Sequence, residues 1–187
     1  MKLLRSAESH CRARRWHCPA PRRLLPLLLG LGLLLPALAP ALEEDASMEV
    51  VIDANSSDYT LDGVLELYGS ADKPVRITQG TLEITGLEVH IEQQGDAIST
   101  LVAYGTPARF RQQLNPGEEP IQAMGLTLRF DNSAQTLSIV EQAEIVLPNG
   151  TRSTGYQFDY DLQSKRMRSD SPAGEGIRIV IPPGAGQ

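Results

Sequence analysis

The sequence has little of the chemistry on which enzymes and disulfide-stabilised proteins depend. It contains two cysteines and one tryptophan, and Cys11, Trp16 and Cys18 all lie near the N-terminus. Beyond residue 41 there is no cysteine, and His90 is the only histidine. Disulfide bonds, thiol chemistry and metal sites with nitrogen or sulfur ligands are therefore excluded from that part of the chain. No carboxylates occur at the spacing of a calcium loop, so we predict no catalytic residue, no metal and no cofactor.

The first 41 residues differ in character from the rest. Basic side chains are followed by an apolar run over residues 24–37, which is shorter than the about 20 residues of a membrane span. Small residues at Ala39 and Ala41 then fit a signal-peptide cleavage site. We predict a signal peptide over residues 1–41 with cleavage after Ala41, because Pro40 disfavours a cut after Ala39. An uncleaved membrane anchor is the alternative.

Removing this segment makes the remaining chain strongly acidic. It retains ten basic and 22 acidic side chains, a net charge of −12. Nucleic acids and anionic membrane surfaces require clustered Lys and Arg, so neither is predicted as a partner. Residues 42–182 have the size of one domain. The acidic stretch Glu43-Glu44-Asp45 and the tail 183–187 are predicted to be disordered flanks.

From residue 50 onward, apolar and polar residues alternate with a period of two, as in strands that bury one face. The segments 82–84 and 87–92 are clear cases. Gly, Asn, Asp and Pro separate such segments at intervals of about ten residues, which is typical of consecutive antiparallel hairpins. His90 falls on the polar face of its strand, which favours a solvent-exposed histidine over a catalytic one.

This pattern predicts an all-β fold, specifically an antiparallel β-jelly roll of about sixteen short strands in two facing sheets. A closed barrel would need fewer and longer strands than the turn spacing permits. Two facing sheets leave open ends, where strand edges present backbone groups that another chain can pair with.

Several segments resemble motifs of the LptA/OstA family. Residues 103–112, Ala-Tyr-Gly-Thr-Pro-Ala-Arg-Phe-Arg-Gln, are similar to the family pattern Gly-x-Pro-Ala-x-Phe-x-Gln. Gln79-Gly80-Thr81-Leu82-Glu83-Ile84 is similar to Gln-Gly-Thr-x-x-Ile, and residues 61–63 and 155–161 match further family segments. The segment 69–75 is longer than the corresponding family turn, which leaves its strand pairing open.

The resemblance implies an OstA-like jelly roll that carries lipopolysaccharide through the periplasm, from the inner to the outer membrane, without enzymatic activity. Its apolar interior would shield the lipid A acyl chains, since a chain of a dozen methylenes costs roughly 10 kcal/mol to expose. The implied partners are lipopolysaccharide, LptC at the inner membrane and the N-terminal domain of LptD at the outer membrane. End-to-end self-association would use the strand around Val50 and Ile52 and the strand around Ile177 and Ile179.

Ten apolar residues are predicted to contact the lipid. Four match family positions that face lipid: Val50, Ile52, Phe110 and Phe130. Six follow from the alternation alone, and ordinary core packing is their alternative: Ile77, Ile84, Val89, Ile91, Ile139 and Phe158. Two other functions stay open, namely an LptC-like component of the same pathway that keeps a membrane anchor, and a structural β-protein that binds no lipid.

Overall fold

The computed structural model describes residues 45, 47–60, 63–95 and 97–184. The predicted signal peptide 1–41, its cleavage site after Ala41 and residues 185–187 of the predicted tail lie outside the described residues. The described chain forms twelve strands: β1 (Val50–Asp53), β2 (Ser56–Tyr59), β3 (Val64–Tyr68), β4 (Val75–Gln79), β5 (Leu82–Gly86), β6 (Glu88–Gln94), β7 (Ala97–Gln112), β8 (Ile121–Asp131), β9 (Thr136–Val146), β10 (Arg152–Asp161), β11 (Arg166–Asp170) and β12 (Arg178–Val180). All their pairings are antiparallel, which confirms the predicted all-β fold.

The four long strands β7 to β10 bend near their middle, where the pairing register shifts. The shift lies between Tyr104 and Ala108 in β7, and between Met124 and Thr127 in β8. In β10 it lies between Gly155 and Gln157. Each of these strands therefore contributes one segment to each of two half-sheets.

The two half-sheets contain equal numbers of strand segments. Half A consists of β2, β3, β6 and β11 with residues 97–104, 127–131, 136–140 and 157–161 of the four long strands. Half B consists of β1, β4, β5 and β12 with residues 108–112, 121–125, 143–146 and 152–155. In the described chain the continuous strands number twelve rather than the predicted about sixteen short strands. Since four of them belong to both halves, the fold has sixteen strand segments. Gly105-Thr106-Pro107, which has the composition of a turn, lies inside the continuous strand β7 at its register shift.

Small residues allow close approach along this bend. A Cβ at Gly125 would lie 2.8 Å from Cγ2 of Ile139 and 3.2 Å from two backbone oxygens of β9. In β9 the bend is made by Glu141 and Gln142 instead, with φ angles of 61° and 53°. We call this band of register shifts the fold line, since it is where the continuous strands pass from one half to the other.

The segment 69–75, which is longer than the corresponding family turn, supplies the connection between β3 and β4 through residues 69–74. It joins β3, which pairs with β2 and β6 in half A, to β4, which pairs with β1 and β5 in half B. Its conformation is closed by a hydrogen bond of 2.9 Å from the Ser70 backbone N–H to the Lys73 carbonyl oxygen. The extra residues therefore carry the chain across the fold line and leave the strand pairing on either side intact.

The inward faces of the two halves share one hydrophobic core. Its members come from every strand between β3 and β10. The rings of Phe110 in half B and Phe130 in half A have centroids 5.5 Å apart, which places the two halves in direct contact. The predicted arrangement of two facing sheets is therefore present as one strongly bent sheet.

The prediction that Glu43-Glu44-Asp45 form a disordered flank is wrong for Asp45. Its side chain is buried, and its carboxylate accepts hydrogen bonds from Thr81 and Gln112. A carboxylate that finds several donors is stabilised in a buried position. Glu43 and Glu44 lie outside the described residues.

Candidate functional site

The interior of half B carries a row of apolar side chains that crosses its strands. Cross-strand partners place Ile52 beside Ile77, Ile77 beside Ile84, and Ile84 beside Phe110. The same row continues through Ala123, Ile145, Ser153 and Ile179 to the last strand, β12. It therefore runs from the edge at β1 to the edge at β12.

Half A carries two matching rows. One runs through Leu67, Val89, Ala103, Leu128, Ile139 and Phe158. The other runs through Leu65, Ile91, Leu101, Phe130, Leu137, Tyr160 and Met167. Because side chains directly opposite each other in neighbouring strands touch, each row forms an apolar track, the first from β3 to β10 and the second from β3 to β11.

All ten residues predicted to contact lipid lie on the inner faces of the two halves. Val50, Ile52, Ile77, Ile84 and Phe110 belong to half B, and Val89, Ile91, Phe130, Ile139 and Phe158 belong to half A. Val50 and Ile52 are partly buried against the core, and the other eight are buried. The structure thus brings the ten together in one interior, five from each half.

The prediction missed several residues of the same tracks: Leu101, Ala103, Leu128, Leu137, Ile145 and Tyr160. Alternation alone marks them as inward, and they follow the parity of predicted neighbours such as Phe130 and Ile139. Ala103 and Ala108 are harder to find, because both face inward although five positions apart. The register shift in β7 reverses the parity between them.

The interior is apolar and tightly closed. Phe110 and Phe130 are 1% and 3% exposed. In the part of the chain that the structure describes, the buried polar or charged residues are Asp45, Thr100, Gln112, Thr151 and Ser153. An occupant of this interior would find almost only hydrocarbon, so the interior suits an apolar ligand and offers no place for a charged one.

A cleft of about 480 Å³ lies opposite the fold line, between the free tips of the two halves. Leu114, Leu147 and Pro148 line it from half B, and Tyr160 and Lys165 line it from half A. Burial raises the pKa of the Tyr160 hydroxyl, and the charges of Asp161 and Glu118 raise it further. No hydrogen bond or ion pair joins the two halves among the described residues that line this cleft.

The described residues include one histidine, which lies beside a neighbouring glutamate. His90 lies on the outer face, with its Nε2 2.7 Å from Oε1 of Glu88. Its ring packs edge-on against the ring of Tyr104, with the two centroids 5.5 Å apart. Among residues 45, 47–60, 63–95 and 97–184, no group of three or more His, Cys, Asp or Glu side chains could hold a metal ion. Within the same ranges, no helix has the length and apolar character to cross a membrane.

Both ends of the fold expose apolar edge residues. At the N-terminal end, Met48, Val51 and Tyr59 are exposed. At the C-terminal end the exposed residues are Ile177, Ile179, Val180 and Ile181. β1 pairs only with β4, and β12 pairs only with β10, so each has one edge free within the described chain.

Comparison with known proteins assigns the chain to a family. Residues 68–166 match the family described as "LptA/(LptD N-terminal domain) LPS transport protein". The chain is 27% identical over 162 residues to the lipopolysaccharide export system protein LptH of Pseudomonas aeruginosa, covering 84% of this chain and 89% of LptH. It is 25% identical over 160 residues to the lipopolysaccharide export system protein LptA of Haemophilus influenzae, covering 84% and 90%.

A solved structure has the same fold. The crystal structure of LptH, described as the LptA-homologous periplasmic component of the lipopolysaccharide transport device of Pseudomonas aeruginosa, superposes with a TM-score of 0.67 at 24% identity. The match covers 74% of this chain and 99% of that structure. Together with the family match over more than half of its length, this shows that the chain belongs to the family of LptA and the LptD N-terminal domain, the lipopolysaccharide transport proteins.

Proposed function

We propose that this protein is a periplasmic carrier that binds lipopolysaccharide and shields its lipid A acyl chains between half A and half B during export to the outer membrane. The observation that carries the proposal is the set of apolar tracks that run edge to edge on the facing inner surfaces. They provide a path of hydrocarbon across the strands, interrupted in half B by Ser153, and a transported acyl chain requires such a path.

The ten predicted residues are proposed as the lipid contacts. Each methylene that leaves water gains about 0.8 kcal/mol, so an acyl chain held against these side chains is strongly favoured over one in solvent. Because the interior is filled by its own side chains, binding requires the two halves to move apart. Contacts such as that between Phe110 and Phe130 would then be exchanged for contacts with lipid.

The two sides of the molecule differ in their resistance to such a movement. Along the fold line, four strands pass covalently from one half to the other. At the cleft, no hydrogen bond or ion pair joins the two tips among the described residues that line it. We therefore expect the halves to separate at the cleft and to pivot at the fold line, with the sugars of the lipid remaining in water.

The free edges of β1 and β12 are proposed as the surfaces for end-to-end association. Pairing of one edge with another would satisfy exposed backbone groups and would join the apolar tracks of successive molecules. A second copy, LptC at the inner membrane and the N-terminal domain of LptD at the outer membrane are the proposed partners. The net charge of −12 beyond residue 41 argues against nucleic acid.

The test is binding of lipopolysaccharide, lipid A and a deacylated polysaccharide to the purified chain 42–187. The proposal predicts binding of the first two and none of the third, because the acyl chains supply the affinity. A protein that binds none of them would be the structural β-protein of the alternative. Binding of all three alike would place recognition on the sugar and contradict the interior site.

The proposed removal of residues 1–41 needs a separate measurement. N-terminal sequencing of the protein recovered from the periplasm of its host should begin at Leu42. Recovery of an intact N-terminus in the membrane fraction would instead favour the LptC-like, membrane-anchored component.

A further inference from the structure

Two motifs that carry the family resemblance meet at one buried carboxylate. Gly80 and Thr81 form the turn between β4 and β5, and Gln112 ends β7. Asp45, which precedes β1, places its carboxylate between them and is only 5% exposed. Gln112 lies two residues after Phe110 on the same inward face of β7, but its side-chain amide hydrogen-bonds to Asp45, so lipid binding alone does not account for it.

The carboxylate is fully engaged by donors. Oδ1 of Asp45 accepts a hydrogen bond of 2.7 Å from the Thr81 backbone N–H. Oδ2 accepts one from the Thr81 hydroxyl, and a second of 3.2 Å from Nε2 of Gln112. A buried carboxylate with three donors is held in a defined position. Without Asp45, Nε2 of the buried Gln112 would lose this partner.

Gly80 makes room for this arrangement. Its φ angle is 58°, and a Cβ at this position would overlap the carboxylate of Asp45. Glycine is therefore required at position 80 both for the backbone conformation and for the presence of Asp45 beside it.

The chain that follows Asp45 also forms a hydrogen bond to the β4–β5 hairpin. The Met48 backbone N–H donates to the carbonyl oxygen of Asp45 at 3.0 Å, and Nε2 of Gln79 donates to the carbonyl oxygen of Met48 at 3.2 Å. β1 begins two residues later, and its Val50 pairs with Gln79. The chain is thus fixed to β4 immediately before the strand that forms the N-terminal edge.

We propose that Gly80, Thr81 and Gln112 form a carboxylate receptor for Asp45, and that this contact, the Asp45 latch, positions edge strand β1 for end-to-end association. A four-residue strand with one neighbour has few contacts of its own and would fray without a second attachment. The latch supplies that attachment without occupying the free edge. Asp45 is therefore a positioning residue, and the link to association rests on the proposed function.

Hydrogen exchange on the lipid-free chain 42–187 tests the latch independently of lipid binding. Asp45→Ala should accelerate amide exchange in β1 by about tenfold or more, a factor that corresponds to about 1.4 kcal/mol, while β8 and β9 keep their protection. Glu49→Ala is the matched control, because it removes the same charge from an exposed position of the same segment. It should leave β1 unchanged.

A second variant covers the case in which Asp45→Ala does not fold. Thr81→Val preserves the shape of the side chain and removes the hydroxyl, which donates to Asp45 and accepts from the Gln113 backbone N–H. The Thr81 backbone N–H to Asp45 remains, and exchange in β1 should still accelerate selectively because the carboxylate loses one donor. For either variant, unchanged amide exchange in β1 would contradict the proposal that the latch holds β1. Equal acceleration of exchange in all strands would contradict it too.

Sedimentation of the same proteins tests the link to association. Asp45→Ala should weaken end-to-end association by about tenfold or more, as expected for an edge strand that must be ordered before it pairs, whereas Glu49→Ala should associate normally. If Asp45→Ala accelerates exchange in β1 but leaves end-to-end association unchanged, the Asp45 latch has no role in assembly. Failure of lipid binding with both results intact would instead contradict the proposed function alone.

Discussion

At the scale of single residues, Phe110 bears most directly on the interior. It is 1% exposed and contacts Phe130 across the two halves. Phe110→Ala should lower the free energy of unfolding by about 3–5 kcal/mol, because it removes buried surface and leaves a cavity. Chemical denaturation measures this, with the outward neighbour Arg109→Ala as the control, expected within about 0.5 kcal/mol of the unchanged protein. Equal stability of the two variants would show that Phe110 is not a core residue.

Substitution of Ser153 is expected to raise the stability, whereas substitution of Phe110 is expected to lower it. Ser153 is completely buried in the half B track, and its hydroxyl has no hydrogen-bond partner. Ser153→Ala should raise the stability by about 1 kcal/mol, because a desolvated polar group is removed. Ser138→Ala is the matched control, since that hydroxyl donates to Oδ1 of Asp159 at 2.6 Å. The control should lose about 0.5–1.5 kcal/mol. A similar loss in both variants would mean that Ser153 does have a partner.

At the scale of elements, the fold line depends on close contact between strands. Gly125→Ala should destabilise the protein by about 1–3 kcal/mol, because the added Cβ would press against Ile139 and the backbone of β9. Gly176→Ala has nothing within 4 Å of the added atom and should change the stability little. Thermal unfolding of the two variants compares them, and equal melting temperatures would argue against tight packing at the bend.

The turn between β10 and β11 provides a pH-dependent element. Hydrogen bonds from Ser164, and a further one from Gln163, lower the pKa of Asp161. A lowered pKa in the folded state means that the stabilisation is present above the ordinary carboxyl pKa and is lost as the pH falls through the folded value. Asp161→Ala should therefore be less stable than the unchanged protein at pH 7, with a difference that shrinks below about pH 4.

Asp161→Asn is the control for that prediction. It keeps an oxygen acceptor for the turn but has no charge to titrate, so it should retain part of the stability. The stability difference between Asp161→Asn and Asp161→Ala should not vary between pH 7 and about pH 3. A pH-independent difference between Asp161→Ala and the unchanged protein would contradict the assigned role of the carboxylate.

The elements also show which features a sequence can reveal. Alternation identified the inward faces of most strands, because burial on one side of a sheet imposes a period of two. It could not reveal that β7 is one strand of 16 residues, since Gly105-Thr106-Pro107 has the composition of a turn. It likewise could not place Asp45, whose partners Thr81 and Gln112 are 36 and 67 residues away.

At the scale of the whole molecule, the two ends are the surfaces proposed for assembly. Deleting the residues after Gly174 removes β12 together with Ile177, Ile179 and Val180. We expect weaker end-to-end association, because the C-terminal edge loses its exposed apolar strand, while the single domain still binds lipid. Analytical ultracentrifugation of the truncated chain checks this. Unchanged association would exclude β12 as the pairing edge.

The two-sheet architecture was predictable at this scale, but the state of its interior was not. Period-two alternation implies an apolar inner face and the turn spacing implies the number of segments. Neither distinguishes an open groove from a core filled by its own side chains, because both use the same residues. Only the packing shows that Val89, Ile91 and Ile139 are fully buried, so that a lipid entering this interior would have to displace existing contacts.

Photo-crosslinking from the inner face in the host cell tests directly whether the interior carries lipopolysaccharide. A photoreactive phenylalanine analogue is placed at Phe110, at Val50 and at Phe130, with Arg109 and Arg111 as controls on the outer face of the same strand. We expect lipopolysaccharide adducts at the three inner positions and none at the two arginine positions. Adducts at the outer positions only, or at no position in folded protein, would contradict an interior that carries lipid.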